Sequence, residues 1–406
     1  SGDTVTVASG ATFVGGGIQW QSTIVTGATL TAVANQGYWI DTSSNACTVT
    51  LPTSSSVGDQ LYFVDFARRF GTNNLTLDQG SQNFQGNTTP NPVYSIDGQA
   101  IAIVYSGSTK GWIPTTDDDV TFAAAQTYAA EYTLVAGGAS GGSGGDRGGG
   151  GGAGGLLTNF GGTTVNLVAG TVYTITVGQG GATVTSNVGN SGNDSTITGT
   201  AFSTLTAVGG GYGGNKNYTG SGAGGDGGSG GGAASIGGGS VSNPAGGSGT
   251  AGQGNDGGTG NTVSGEYGAG GGGGAGAVGG DGSTSAAGAG GNGSANSITG
   301  SSVTYAGGGG GGRQSSATGG AGGSGGGGAG GGGDSPGVAG TAGTANTGGG
   351  GGGSKGAASG AGGSGIVILS VPDANYSGTT TGSPTVATGV SGKTVITFTG
   401  SGSYTG

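Results

Sequence analysis

Apolar and polar residues alternate along much of the first hundred positions. Runs at 23–25, 30–33, 38–41, 48–51, 61–65, 74–77 and 100–105 are rich in β-branched and aromatic residues. Gly, Pro, Asn and Asp separate them about every ten residues, which predicts short strands in an all-β sandwich or barrel. Two further strand-like runs, 4–7 and 11–14, precede Gly15-Gly16-Gly17. All three tryptophans (Trp20, Trp39, Trp112) fall in this part of the chain, which therefore holds the conventional core. Cys47 stands alone in the alternating run 46–51, as a small buried hydrophobe does.

The pattern changes after Pro114. Asp117-Asp118-Asp119 reads as a solvated linker, since no spacing of further acidic ligands follows it. From 137 to 365 glycine comes in runs, at 148–152, 270–274, 307–312, 325–328 and 348–353. A flexible tether is one reading of such a stretch. The strand-like segments 131–136 and 365–370 bracket it, however, and the alternating runs 163–167 and 171–177 suggest a hairpin between them. A small sheet with glycine runs anchored to it follows from that pattern.

Glycine loses more backbone freedom on ordering than any other residue, so ordered runs need a compensating interaction. In an extended helix of three residues per turn, glycine N–H and C=O groups point outward, and helices without Cβ atoms can pack side by side through the backbone. Runs of five or six glycines would span roughly 15–19 Å in that form. Collagen requires strict Gly periodicity and abundant Pro, and the chain has only 8 prolines. The expected architecture is mainly β. It comprises N-terminal strands (1–20), a β-sandwich-like domain (21–115), a linker (116–127), a glycine-rich domain (128–371) and C-terminal β-strands (372–406). The glycine-rich domain is expected to consist of packed polyglycine II helices anchored to a small sheet.

The ordered series 131–138, 151–157, 173–178, 205–211 and 362–368 resembles the glycine-rich domain of tailed-bacteriophage tail-fibre and adhesin proteins, over residues 128–371. Residues 21–113, notably 38–42, 49–52 and 110–113, resemble a small β-domain of phage structural proteins. The resemblance implies packed polyglycine helices whose connecting loops contact the host surface. It also implies a location on the virion exterior, outside the cell, among other virion structural proteins. Fibre proteins are commonly trimers, so a homo-oligomer is expected, with 391–405 as terminal strands about a threefold axis.

Composition narrows the chemistry. Glycine accounts for 116 of 406 residues, and only 6% are charged. The net charge is −10 with 8 Lys plus Arg, so no basic cluster is available for nucleic acid. No apolar run approaches the length needed to insert in a membrane. The chain starts at Ser1 and contains no Met, as expected of a processed protein or a piece of a longer one. There is no histidine, which removes His-activated nucleophiles and the commonest metal ligand. The carboxylates sit mostly singly in turns, as Asp226 and Asp281 do. A non-enzymatic protein without catalytic residues, metal or cofactor is therefore expected, with a polysaccharide-cleaving tailspike as the enzymatic alternative.

Candidate contact residues are those that interrupt the glycine: Tyr212, Asn215, Lys216, Asn217 and Tyr218, then Glu266 and Tyr267, then Arg313 and Gln314. Tyr stacks on sugar faces and amides bond hydroxyls, so such loops suit a host surface glycan or an outer-membrane protein. The alternative is that they are polar turns keeping glycine helices soluble. Competing overall readings are a capsid-surface fibre, decoration or collar protein without receptor role, and a secreted bacterial filament or matrix protein, with ice binding a remoter variant.

Overall fold

The computed structural model describes residues 17–115, 121–122, 126–145, 147–200, 202–216, 222–237, 243–263, 267–314, 318–333 and 337–406. The strand-like runs 4–7 and 11–14 and the acidic triplet 117–119 lie outside these residues. The chain divides into two compact units, Ser1–Ala125 and Gln126–Gly406.

The first unit holds β1 (Gln19–Trp20), β2 (Thr29–Thr31), β3 (Gln36–Ile40), β4 (Cys47–Thr50), β5 (Gln60–Asp65), β6 (Leu75–Asp78), β7 (Pro92–Tyr94), β8 (Ala100–Tyr105), β9 (Trp112–Pro114) and β10 (Thr121–Phe122). They form two sheets, ordered β1-β3-β5-β8-β9 and β10-β7-β6-β4-β2. Both sheets feed one core, in which Ile40, Val49, Leu61, Phe63, Leu75, Leu77 and Trp112 are almost completely buried. The alternation in the sequence is what puts them there: β6 reads buried–half-buried–buried–half-buried along Leu75–Asp78. The run 23–25 contributes only an isolated bridge, Val25 to Ile40. The sequence pattern did not reveal the pairing: β1, β3 and β5 run parallel, as do β2, β4 and β6, because the chain crosses to the other sheet after each strand.

The second unit begins with β11 (Thr127–Val135), β12 (Leu156–Thr158), β13 (Val165–Val168), β14 (Val172–Thr176), β15 (Ser195–Gly199) and β16 (Phe202–Ala207). After the glycine-rich stretch come β17 (Ser294–Asn296), β18 (Val303–Tyr305), β19 (Ile366–Pro372), β20 (Thr380–Thr381), β21 (Thr385–Val390), β22 (Lys393–Phe398) and β23 (Gly402–Thr405). One sheet is ordered β12-β11-β19-β22-β21, with β13 also on β11; another is ordered β16-β15-β14-β23-β20. They share a core that includes Leu134, Leu167, Tyr173, Ile175, Val367, Ile396, Phe398 and Tyr404. Residues 163–177 do not form the expected hairpin. The corner at Gly170, whose φ of 77° suits glycine, sends β13 to β11 and β14 to β15 and β23. The strands after 372 pair directly with this framework, β22 with β19 and β23 with β14.

Extended glycine segments leave this framework from β11, β14 and β16 and return to it at β12, β15 and β19. Their hydrogen bonds advance in steps of three residues. In segment 148–155, the N–H groups of Gly149, Gly152 and Gly155 donate to Gly214, Gly211 and Val208 at 2.8–3.0 Å. Those of Gly150 and Ala153 donate to Gly270 and Gly273, both at 3.0 Å, and those of Gly148, Gly151 and Gly154 to Ser354, Gly351 and Gly348 at 2.8–3.0 Å. Its carbonyls accept from three other segments, around Ala139, Gly232 and Gly309. Three residues per turn with outward-pointing backbone groups is the polyglycine II arrangement, and this segment sits among neighbours on all sides. A Cβ on Gly150 would lie 2.0 Å from the Gly309 carbonyl oxygen, so glycine is required where the backbones meet.

The scattered aspartates have a role in this body. Asp194 accepts from Gly209 N–H, Asp226 from Ser248, Asp256 from Gly249 and Asp281 from Thr259, at 2.6–2.8 Å. Each carboxylate satisfies a backbone donor that a neighbouring segment does not.

Candidate recognition surface

The sheets fix one end of the glycine body; its other end, the turn end, lies around Gly144, Arg147, Lys216, Gly237, Tyr267 and Arg313. The direction of the segments shows this: 148–155 runs back to β12, while 208–216 runs out from β16 with Gly214 opposite Gly149.

The sequence candidates divide along this axis. Tyr212 lies partway out and half-buried, its ring over Gly225, where a Cβ would come within 2.4 Å of it. Asn215 is only 1% exposed, and its side-chain amide donates to the Ser143 carbonyl. It clasps the neighbouring turn. Lys216 ends the segment and its Nζ donates to the Gly237 carbonyl at 3.4 Å. Asn217, Tyr218 and Glu266 lie outside the described residues.

Tyr267 and Arg313, 46 positions apart in number, come together because Arg313 forms an antiparallel bridge with Gly268, and Gln314 N–H donates to the Tyr267 carbonyl at 3.3 Å. The Arg147 guanidinium sits 4.3 Å from the centroid of the Tyr267 ring, a cation–π contact. Gly237 lies beside both: a Cβ there would be 3.6 Å from Tyr267 Cζ and 3.7 Å from Arg147 Nη1. Thus Arg147, Lys216 and Tyr267 meet around Gly237. Lys355 joins the same end of the body, since Gly356 N–H donates to the Gly144 carbonyl at 2.9 Å.

Arg147 and Lys355 are the residues that sequence reasoning missed. Arg147 borders a glycine run just as Arg313 does and Lys355 is one residue from another, so the signal was a lone cation at the end of a run. All four cations between 137 and 365 therefore lie at the turn end, while the capping aspartates sit along the body.

The sheet end is chemically quieter. A cavity of about 320 Å³ is lined by Leu156, Thr158, Gln253, Asn255 and Ser294 among others. Its amides are engaged: Gln253 Oε1 accepts from Val208 N–H at 2.8 Å and Nε2 donates to the Thr206 carbonyl at 3.0 Å. Among the described residues no cluster of His, Cys, Asp or Glu could hold a metal ion, and no helix is long and apolar enough to cross a membrane.

The fold defines a mainly β protein whose sheets carry a body of backbone-bonded glycine segments. The chain belongs to the glycine-rich domain family, whose model matches residues 115–372. No curated protein matches the chain.

Proposed function

We propose that this is a non-enzymatic structural protein of a bacteriophage virion, a tail fibre or adhesin whose turn end contacts the host surface. One observation carries the reading: Lys216, Tyr267, Arg313 and Gln314, scattered over nearly a hundred positions, gather with Arg147 at one end of the glycine body. A backbone-bonded body with polar and aromatic side chains gathered at one end suits attachment, with a host glycan or outer-membrane protein as partner.

Assembly with further copies, a trimer in the first instance, belongs to the same reading. Strand β21 is an outermost strand, pairs only with β22 among the described residues, and is exposed along most of its length. Such an edge invites pairing or coverage by another chain.

Antibody raised against the recombinant chain tests the proposal on purified particles. Label at the distal tail together with blocked adsorption supports it. Label spread over the shell would replace it with a decoration protein, and particles free of label would end the virion reading.

A further inference from the structure

The first unit carries a second surface of a different kind. Side chains alternate across its β1-β3-β5 sheet, so those facing away from the core form rows. Trp20 lies beside Gly37 and Gly37 beside Tyr62; the adjacent rows hold Trp39 and, on the other side, Asn35 with Gln60. Trp20 stacks on Trp39, with centroids 4.6 Å apart at 29°, and meets Tyr62 edge-on at 6.3 Å. Its ring lies on bare backbone, because a Cβ on Gly37 would be 2.7 Å from it. Trp112 is wholly buried, whereas Trp20 remains 44% exposed.

The frame around these rings is polar, two amides with one carboxylate, Asp59, behind Asn35. Asn35 Oδ1 accepts from Gln60 N–H at 3.1 Å, Asn35 Nδ2 donates to Asp59 at 3.3 Å, and Tyr62 Oη donates to Gln60 Oε1 at 3.4 Å. A pyranose has the matching chemistry, an apolar face of C–H groups and a rim of hydroxyls. Aromatic rings already packed against one another lose little freedom on binding, and amides beside them fix orientation. Of the three rings only Trp20 is exposed while Trp39 and Tyr62 are half-buried, which leaves little apolar surface beside the roughly 800 Å² per partner that a stable protein interface buries.

We propose that Trp20, Trp39 and Tyr62, framed by Asn35 and Gln60, form a platform for a neutral pyranose saccharide. The site is independent of the turn end of the glycine body and of the virion reading.

Indole fluorescence of the full chain, titrated with neutral oligomers of glucose, galactose, mannose and N-acetylglucosamine, tests it. A saturable change with at least one of them is expected. Trp20→Ala should weaken that binding at least tenfold with an unchanged thermal midpoint. Gly37→Ala keeps every ring yet displaces Trp20, and should weaken binding as well; Trp20→Phe should fall between. Absence of a saturable response across the four sugars, or undiminished binding by Trp20→Ala, would overturn the proposal. So would self-association of the chain that Trp20→Ala abolishes, which would assign the face to a second copy.

Discussion

The hydroxyls of Tyr128 and Tyr404 lie 2.9 Å apart across a sequence separation of 276 residues. Tyr128 opens the strand that leads into the glycine body, and Tyr404 lies in the last strand of the chain. The body is thus bracketed by a framework that closes only when the C-terminus has joined it. Tyr404 is fully buried, so Tyr404→Phe leaves the Tyr128 hydroxyl short of a partner in a dry place. A loss of about 1–3 kcal/mol is expected in denaturant unfolding of the second unit.

Burial also pushes several phenols above their ordinary 10.0. It is the largest cause at Tyr38, Tyr128, Tyr132 and Tyr305, reinforced at Tyr128 by the hydrogen bond and charge of Tyr404 and partly opposed at Tyr38 by the Val33 N–H. At these four positions the unfolded chain ionises near the ordinary value while the folded phenol stays neutral to higher pH. Stability should therefore be full below about pH 10 and fall as pH rises beyond it. Unfolding midpoints that stay constant through that range would contradict this.

Glycine substitutions should separate sharply by position. Gly150→Ala puts a methyl against the Gly309 carbonyl and should cost about 3 kcal/mol or prevent folding. Gly145 has nothing within 4 Å of an added Cβ, so Gly145→Ala should be neutral or slightly stabilising. Thermal unfolding of the two variants side by side checks the contrast.

Cys47 is buried and its thiol is pushed up by desolvation. Iodoacetamide should leave it unmodified in the folded protein and label it fully in denaturant, as read by mass spectrometry. Rapid labelling under native conditions would place Cys47 outside the core.

Much of the fold was legible because the residues leave few choices. Runs such as 307–312 cannot form a side-chain core, so backbone bonding was the one route to order, and the alternation of 74–77 marked a half-buried strand. Pairing was less legible, because hydrogen bonds between backbones carry no residue signature. The parallel order of β1, β3 and β5, the separation of β13 from β14, and the docking of β22 on β19 are of this kind. At the turn end, Tyr267, Arg313 and Gln314 stood out as interruptions of glycine. Nothing local predicted that Arg147 would lie over the Tyr267 ring, since 120 positions separate them in number and only the stacking of segments brings them together.

The central claim is that backbone bonds make the glycine segments one ordered body. Amide hydrogen exchange along 148–155 tests it most directly, with the exposed turn at Ala251 and Gly252 as internal reference. Strong protection of every third-residue set, Gly149 with Gly152 as well as Gly150 with Ala153, is predicted, since each set donates to a different neighbour. Exchange of these amides at the rate of the turn would show an unstructured glycine chain and contradict the account.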